Sequence, residues 1–378
     1  MHTAKSKGMW FFPFFKVKPN KDEPVFQKEL KLFYNTMDKV NEGITAKWLL
    51  LILPLVYAVI INMYSYPKGY DIVRFVNVYH EFTNPLTDFS RILHILTRAP
   101  DFLMYLYELF FAKLGVPLEI LFFIITFITV FNFLFVFIHY YKQETAVFPS
   151  GWMLLMVMIT ISVPSVLSGI RNIHALSFIA LSFLFFRQNK KRLGLAAIYY
   201  AGFMHYSCYI FLLYPLFIRK FRFKSYLVPV VIVGFLLFCF SFIPSKFYEE
   251  ILPLSLFHKV DYYLLNNSYL TTKYSLNGLI YNLINWYVPV SYLIFLIYKQ
   301  YLNITLKKEV VFLFLLCLLF IFFPNVYSRF LMLLLMFAVY NVLIAPRNKW
   351  TNLFLFGIFF QFLIRQILFW KTVVSATV

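Results

Sequence analysis

The sequence predicts an all-α, polytopic integral membrane protein with about nine full transmembrane helices, one broken helical hairpin and two long external loops. Hydrophobic residues make up 61% of the 378-residue chain and charged residues only 13%. The apolar residues form long runs, and Lys and Arg cluster between them in short tracts that are typical of cytoplasmic loops. These tracts account for the formal net charge of +19, so we expect no nucleic-acid partner.

The chain begins with a polar, basic stretch, residues 1–46, which we place in the cytoplasm as an N-terminal segment. Residues 47–378 then form a single polytopic membrane domain. The first span, about 48–64, leads to the outer face. An external loop follows at about 65–117 and contains two amphipathic pieces with apolar residues at helical spacing. These two pieces cover residues 71–82 and 101–114.

The segment 193–218 decides the topology of the rest of the chain. After the first span, three more spans precede it, at 118–140, 148–163 and 166–186. It has the length of one span but strongly basic tracts at both ends. A single crossing would place the later basic tracts outside, whereas a broken hairpin that bends near residues 202–205 keeps them all in the cytoplasm. The positive-inside rule favours the hairpin, and broken helices are tolerated at membrane depth where protein surrounds them.

The hairpin fixes the direction of the later spans. These spans cover about 226–243, 279–298, 310–323, 327–345 and 353–370. A second long external loop lies at about 244–278. With this topology both loops face the outer side, together with the turns that precede Arg171 and Arg329. We therefore expect any chemistry to be assembled at the outer face.

Arg171 is the clearest candidate site residue. It lies about 10 Å along a predicted helix from the turn at Pro164, and an Arg within the bilayer costs about 2.5–3.5 kcal/mol. It either binds a ligand there or snorkels to the interface. His174 shares its helix face at spacing i, i+3 and is either a second ligand or a packing residue with a hydrogen-bonded ring. An Arg and His pair suits a phosphate, because the guanidinium presents a planar fork of donors.

A second arginine repeats this arrangement. Arg329 lies just inside an outer turn, as Arg171 does, and it opens an inward span with Tyr327 in the same turn. Two arginines at matched depth favour a binding site over independent snorkelling. Arg365 lies close to the outer end of the last span and is either a third substrate-binding residue or an interfacial anchor.

Further candidates lie at the hairpin and in the first external loop. His205, at the proposed bend, is a base, a hydrogen-bond donor to substrate or a residue that stabilises exposed backbone. Asp71 and Arg74 stand at i, i+3 and either pair with each other on a solvated helix face or contribute to a site. A polar, Tyr-rich external loop suits sugar recognition.

Several common motifs are absent from the sequence. It has no phosphate-binding loop for a nucleoside triphosphate, no dinucleotide fingerprint, no His-Glu-x-x-His and no Cys-x-x-Cys pair. An ATP-driven pump and a membrane metalloprotease are therefore disfavoured.

Three stretches resemble the EpsG/Wzy-type bacterial polysaccharide polymerases. The first is Ser168-Gly-Ile-Arg171-Asn-Ile-His-Ala175, which is similar to the family's span that opens with an Arg followed by a small residue. The second is Phe203-Met-His205-Tyr-Ser207, which resembles a Phe-x-His-x-Ser element further along the chain. The third is Gly69-Tyr-Asp71-Ile-Val-Arg-Phe75, which resembles an Asp-containing element after the first span, with Phe75 where the family leads us to expect Tyr.

The resemblance implies glycosyl transfer at the outer leaflet of the bacterial inner membrane. A growing glycan on a polyprenyl diphosphate would move onto a sugar hydroxyl of another lipid-linked repeat unit, as in capsule, exopolysaccharide or O-antigen synthesis. The demanding steps are charge neutralisation by Arg171 and Arg329 and removal of the acceptor proton. His205 and Asp71 are the candidate bases. No cofactor is expected and no metal is needed, although acidic residues in the external loops could hold one.

The expected partners are a polyprenyl-diphosphate-linked oligosaccharide and membrane lipid, and they could include a chain-length regulator and a flippase. The protein would be a multi-pass inner-membrane protein with a cytoplasmic N-terminus. Two other functions stay open. One is a different outer-leaflet transferase, either a glycan ligase or an acyltransferase. The other is a flippase or transporter of lipid-linked sugars, although such proteins often carry two matching interrupted helices and this sequence shows one interrupted segment.

Overall fold

The computed structural model describes residues 47–62, 71–98, 102–161, 163–219, 223–240, 250–251, 307–320 and 324–344, with single positions between 353 and 367. For some of these residues, Asp71 among them, only the backbone is described. Every regular element in these ranges is helical. The elements are α1 (Lys47–Asn62), α2 (Asp71–Thr83), α3 (Phe89–Arg98), α4 (Phe102–Lys113), α5 (Leu118–Thr145), α6 (Gly151–Thr160), α7 (Val163–Arg187), α8 (Lys191–Met204), a 3-10 helix (Tyr206–Leu213), α9 (Tyr214–Arg219), α10 (Phe223–Phe240), α11 (Lys308–Leu319) and α12 (Pro324–Ile344).

The long helix α5 is the clearest predicted span. It follows Pro117 and ends at Ala146, whose left-handed backbone lets its N–H donate to the carbonyl of Lys142. Its 28 residues give a length of about 42 Å, which exceeds the hydrocarbon core of a bilayer. Among the described residues, α5 and the part of α7 from Gly169 to Arg187 are the helices long and apolar enough to cross a membrane.

The predicted count of about nine spans is not confirmed by the described residues. Most of the remaining predicted spans coincide with shorter or partly described helices, namely α1, α6, α10, α11 and α12. The predicted span at 279–298, the N-terminal segment 1–46 and nearly all of the second external loop lie outside the described residues. The last predicted span, 353–370, is described at single positions only.

The helix α7 has a break near its beginning. At Gly169 the backbone angles are φ −158° and ψ 48°, so two helical pieces meet there. Arg171 therefore lies in the first turn of the longer piece, which continues to Arg187. The sequence places its Ser/Pro turn at 162–165 and so predicts one helix from 166; the structure puts the interruption a turn later.

The predicted broken hairpin is present in the structure. α8 ends at Met204, His205 is extended with φ −152° and ψ 111°, and the 3-10 helix follows directly. The chain then returns along α8, because Gly194 and Tyr214 both contact the ring of Phe186 at the end of α7. A residue larger than Gly at 202 would collide with the returning chain, since a Cβ there would lie 2.4 Å from the Tyr209 ring.

The predicted first external loop contains more helix than the sequence predicts. α2 and α4 agree closely with the predicted amphipathic pieces. The sequence reasoning missed α3, a helix of 10 residues between them. Asp88 begins this helix, because its carboxylate accepts a hydrogen bond from the backbone N–H of Arg91 at 2.8 Å. Such a short helix gives a weak periodic signal in sequence.

The bundle formed by α5, α7, the hairpin and α11 has a charged end. Glu144 at the end of α5 accepts hydrogen bonds from Arg187 and Lys307. Nearby, the Tyr140 hydroxyl donates to Glu309 at 2.9 Å, and the Lys308 ammonium donates to the carbonyl of Ile218 at 3.2 Å. We call this group the charged end; it lies where α7 ends, the hairpin closes and α11 begins.

Candidate functional site

The candidate site lies at the opposite end of α7 and the hairpin. α7 and α8 are antiparallel, since His174 contacts Tyr200 whereas Phe186 contacts Gly194. Arg171 precedes His174 by about one helical turn, and His205 follows Tyr200 by about a turn and a half. Both residues therefore lie on the same side of the His174 and Tyr200 contact, away from the charged end. We call this region the site end.

Arg171 is buried, with 5% of its surface exposed. Its guanidinium lies 5.4 Å from the centre of the Phe75 ring, which is itself fully buried on α2. The neighbouring Arg74 lies 5.9 Å from the same ring, and its Nε donates to the Tyr105 hydroxyl at 2.8 Å. One aromatic ring therefore holds two guanidinium groups in place through cation–π attraction.

A buried glutamate joins this group, and the sequence analysis did not single it out. Glu108 on α4 is fully buried, and neither carboxyl oxygen has a hydrogen-bond partner among the described residues. Burial raises the pKa of Glu108 to about 9, while the charges of Arg171 and then Arg74 act to lower it. The carboxyl thus carries its proton at neutral pH. A single acidic residue within the apolar run Phe102–Lys113 is the signal that could have identified it.

His205 binds the second candidate arginine. The Nη1 of Arg329 lies 2.9 Å from Nε2 of His205, and the Ser207 hydroxyl lies 2.7 Å from Nδ1. A guanidinium only donates, so Nε2 accepts from Arg329. The backbone N–H of Ser207 also donates to Nδ1, at 3.3 Å. Because Arg329 occupies the Nε2 lone pair, His205 holds the guanidinium in position in this structure.

His174 is part of a complete hydrogen-bond network. The Thr129 hydroxyl donates to the carbonyl of Ile125 at 2.6 Å, so it accepts from Nδ1 of His174 at 2.8 Å. The other ring nitrogen, Nε2, accepts from the Tyr200 hydroxyl at 3.0 Å, which in turn accepts from Tyr107 at 3.1 Å. With both nitrogens bonded inside the protein, His174 fits the packing interpretation of the two that the sequence left open.

The helix α4 connects the two arginine groups. Tyr107 on α4 binds Tyr200, and Phe102 packs edge-on against Phe203 with ring centres 5.4 Å apart. Phe203 is two residues before His205, so α4 lies beside the bend of the hairpin as well as beside Arg171. The same helix carries Glu108.

A comparison with known families shows which family the chain belongs to. The model of the EpsG family matches residues 47–377. The chain belongs to the EpsG family. The resemblance found in the sequence is therefore confirmed, and membership indicates a membrane protein of polysaccharide polymerisation. Comparisons with curated proteins and with solved structures found no match.

For the remaining predicted site residues of this EpsG family member, the structure describes fewer contacts or none. Tyr327 is buried, with 1% exposed, two residues before Arg329. Asp71 is the first residue of α2, three positions before Arg74. Arg365 lies outside the described residues. In the ranges that are described, no three His, Cys, Asp or Glu side chains lie close enough to hold a metal ion. The side chains with described contacts at the site end are therefore Arg74, Arg171, Arg329 and His205, with Glu108 beside the first two.

Proposed function

We propose that this protein polymerises polyprenyl-diphosphate-linked oligosaccharide repeat units at the outer leaflet of the bacterial inner membrane. The observation that carries the proposal is that Arg74 and Arg171 share the Phe75 ring at the site end, where Arg329 contacts His205. Guanidinium forks recognise phosphate oxygens with two hydrogen bonds at once. A diphosphate with its high charge density is the substrate group that such a set suits best.

The distribution of basic residues supports an orientation in which the site end faces the outer leaflet. Basic residues at the charged end, among them Arg187, Lys307 and Lys308, mark the cytoplasmic face by the positive-inside rule. The site end then lies at the outer leaflet, where the proposed lipid-linked substrates are polymerised.

The reaction forms one glycosidic bond and breaks one bond to phosphate. The oxygen of an acceptor sugar hydroxyl attacks the anomeric carbon of the donor glycan. The bond from that carbon to the diphosphate breaks, and its electron pair stays on the phosphate oxygen. The arginines stabilise the negative charge that develops on this oxygen, and the hydroxyl proton passes to a base.

We assign the base role to Asp71 and a positioning role to His205. In the structure Arg329 donates to Nε2 of His205, which leaves that nitrogen no lone pair for a substrate proton. Asp71 opens α2 within one turn of Arg74, close to the arginines that would bind the diphosphate. Tyr327 and Arg365 remain proposed substrate contacts.

The test uses the purified full chain in proteoliposomes with a synthetic lipid-linked repeat unit. The wild type is expected to produce a ladder of chain lengths. Arg171→Ala and Arg329→Ala should each lower the polymerisation rate by about 100-fold or more, because each removes a donor to developing charge. Arg91→Ala is the matched control, since Arg91 is an exposed arginine on α3 that pairs with Glu81, and its ladder should match that of the wild type.

The alternative functions give different results. Unchanged ladders in both arginine variants would refute the proposed site. In cells without the protein, single repeat units that accumulate on the outer leaflet would indicate a polymerase, whereas accumulation on the inner leaflet would indicate a flippase. Full-length lipid-linked chains that stay unligated or unacetylated would indicate a ligase or an acyltransferase.

A further inference from the structure

The charge-neutralising role of the arginines leaves Glu108 unexplained. Its carboxyl is fully buried, and both oxygens lack a hydrogen-bond partner in the described part of the chain. Most buried polar groups in folded proteins are hydrogen-bonded, so a carboxyl with neither oxygen satisfied indicates a missing partner. By contrast, the carboxyls of Glu144 and Glu309 at the charged end both have partners.

The position of Glu108 limits what this partner can be. Arg171 from α7 and Arg74 from α2 are the charged groups that act on it. Arg74 also binds Tyr105, which lies on α4 one turn before Glu108. A group that reaches Glu108 therefore lies beside the arginines to which we assign the diphosphate. In a lipid-linked glycan, the part next to the diphosphate is its first sugar.

The hydrogen-bonding capacity of a protonated carboxyl fits a hydroxyl group as its partner better than a phosphate. A phosphate oxygen accepts hydrogen bonds, so it could satisfy the carboxyl O–H but would leave the carbonyl oxygen without a donor. A sugar hydroxyl both donates and accepts, and it can satisfy both carboxyl oxygens in a reciprocal pair. An ionised carboxylate would instead repel the neighbouring diphosphate, which disfavours the charged form.

We propose that Glu108, as a neutral carboxylic acid, hydrogen-bonds a hydroxyl of the sugar attached directly to the diphosphate and so helps to select the donor. This inference rests on the proposed function, because it takes the diphosphate to be the ligand of Arg171 and Arg74. Glu108 is then a specificity-determining residue, and no proton is transferred through it.

The test measures binding of the lipid-linked donor, so it does not depend on turnover. The probes are a polyprenyl-diphosphate-linked repeat unit and a series of analogues in which the first sugar lacks one hydroxyl each. With the wild type, one analogue should bind about 10-fold more weakly than the parent, as expected for the loss of a hydrogen bond that leaves a buried partner unsatisfied. Glu108→Leu should weaken binding of the parent by a similar factor and bind that analogue and the parent about equally.

Two further variants separate the hydrogen bond from other roles. Glu108→Gln keeps a neutral donor and acceptor, and it should restore binding to within about threefold of the wild type. Glu309→Leu removes the other buried carboxyl, at the charged end, and should leave discrimination among the analogues unchanged. A structural role for Glu108 would lower stability in Glu108→Leu without changing which hydroxyl the protein prefers.

The pH dependence of binding gives an independent readout. The functional form is protonated, so its contribution is present below a pKa of about 9 and is lost as pH rises through that value. In the described ranges no group from α3, α5 or α8 acts on Glu108. Wild-type affinity should therefore fall above about pH 9, whereas Glu108→Gln should lack this fall.

The outcomes distinguish this inference from the proposed function. Discrimination that disappears in Glu108→Leu, in a protein that makes no polymer, would support the inference and refute the polymerase. Unchanged discrimination in Glu108→Leu, or a Glu108→Gln variant as weak as Glu108→Leu, would overturn the inference even if polymer is made. A wild type that does not bind the donor would overturn both.

Discussion

The two ends of the bundle differ in whether their carboxyl groups have hydrogen-bond partners within the described residues. At the charged end, Glu144 accepts from Arg187 and Lys307, and Glu309 accepts from the Tyr140 hydroxyl at 2.9 Å. At the site end, Glu108 is fully buried beside two arginines, yet its oxygens have no partner among the described residues. The first arrangement is satisfied within the protein, whereas we propose that a ligand completes the second.

The two arginines of α7 show the same contrast between the ends. Arg171 and Arg187 both belong to α7 and lie about 24 Å apart along it. Arg187 pairs with Glu144 and lies 4.6 Å from the Tyr140 ring. Arg171 is more deeply buried and lies against the Phe75 ring, next to Arg74. Charge that is paired with opposite charge supports the fold, while like charges held together by aromatic rings attract an anion.

The largest effect that sharpens this comparison is expected at His205. His205→Ala removes the acceptor that holds Arg329 and should lower kcat by about 100-fold, as expected when a donor to developing charge is misplaced. In His205→Gln the side-chain oxygen can accept from Arg329, so kcat should recover by about 10-fold relative to the Ala variant. Steady-state kinetics in proteoliposomes measure both values.

This pair of variants separates positioning from base catalysis. A base role for His205 would make the Gln variant as slow as the Ala variant and would remove an acidic limb from the pH profile of kcat. Asp71→Asn is the companion variant, and it should lose that limb if Asp71 is the base.

A substitution at Phe75 is expected to have an intermediate effect, on the affinity for the donor. Phe75→Leu keeps a buried apolar side chain but removes the ring that lies beneath Arg171 and Arg74. Donor affinity should fall by about three- to tenfold, which corresponds to the loss of a partly buried cation–π contact. Titration of the lipid-linked donor measures this change. Phe178→Leu on α7 is a suitable control because Phe178 packs on Tyr200 and not on an arginine, and an equal loss of affinity there would contradict the assignment.

The smallest effect is expected at the charged end. Glu144→Gln removes the charge that pairs with Arg187 and Lys307, and it should lower stability by about 1 kcal/mol or less because the ion pairs are partly exposed to solvent. A thermal-unfolding midpoint in detergent that shifts down slightly would fit this expectation. Polymer length should stay unchanged, and a shortened ladder at normal protein levels would show that the two ends are not independent.

Local patterns predicted most of the helices correctly. The apolar runs gave α5 and α7, and helical spacing gave α2 and α4. Charge counting at the two ends of residues 193–218 gave the hairpin, because basic residues stay on one side of a membrane. The helix α3 was missed, since 10 residues carry little periodic signal.

The sequence analysis named candidate site residues, but the pairs that it expected differ from those in the structure. The sequence grouped Arg171 with His174 and matched it with Arg329. In the structure His174 belongs to the Thr129 and Tyr200 network, and Arg329 binds His205. Glu108 was missed although it is a single acidic residue in an apolar run, because its position beside Arg171 depends on how α4 packs in the bundle.

The sequence by itself determined the membrane class, the family and the residues that lie near each helix end, because hydrophobicity and helical spacing act over a few turns. Only the tertiary structure decided which of these residues meet. Arg329 contacts His205 although the two are 124 positions apart in the sequence, and Arg171 contacts Phe75 because α2 packs on α7. Such pairs depend on the register between helices far apart in the chain, which is set by packing of the whole bundle.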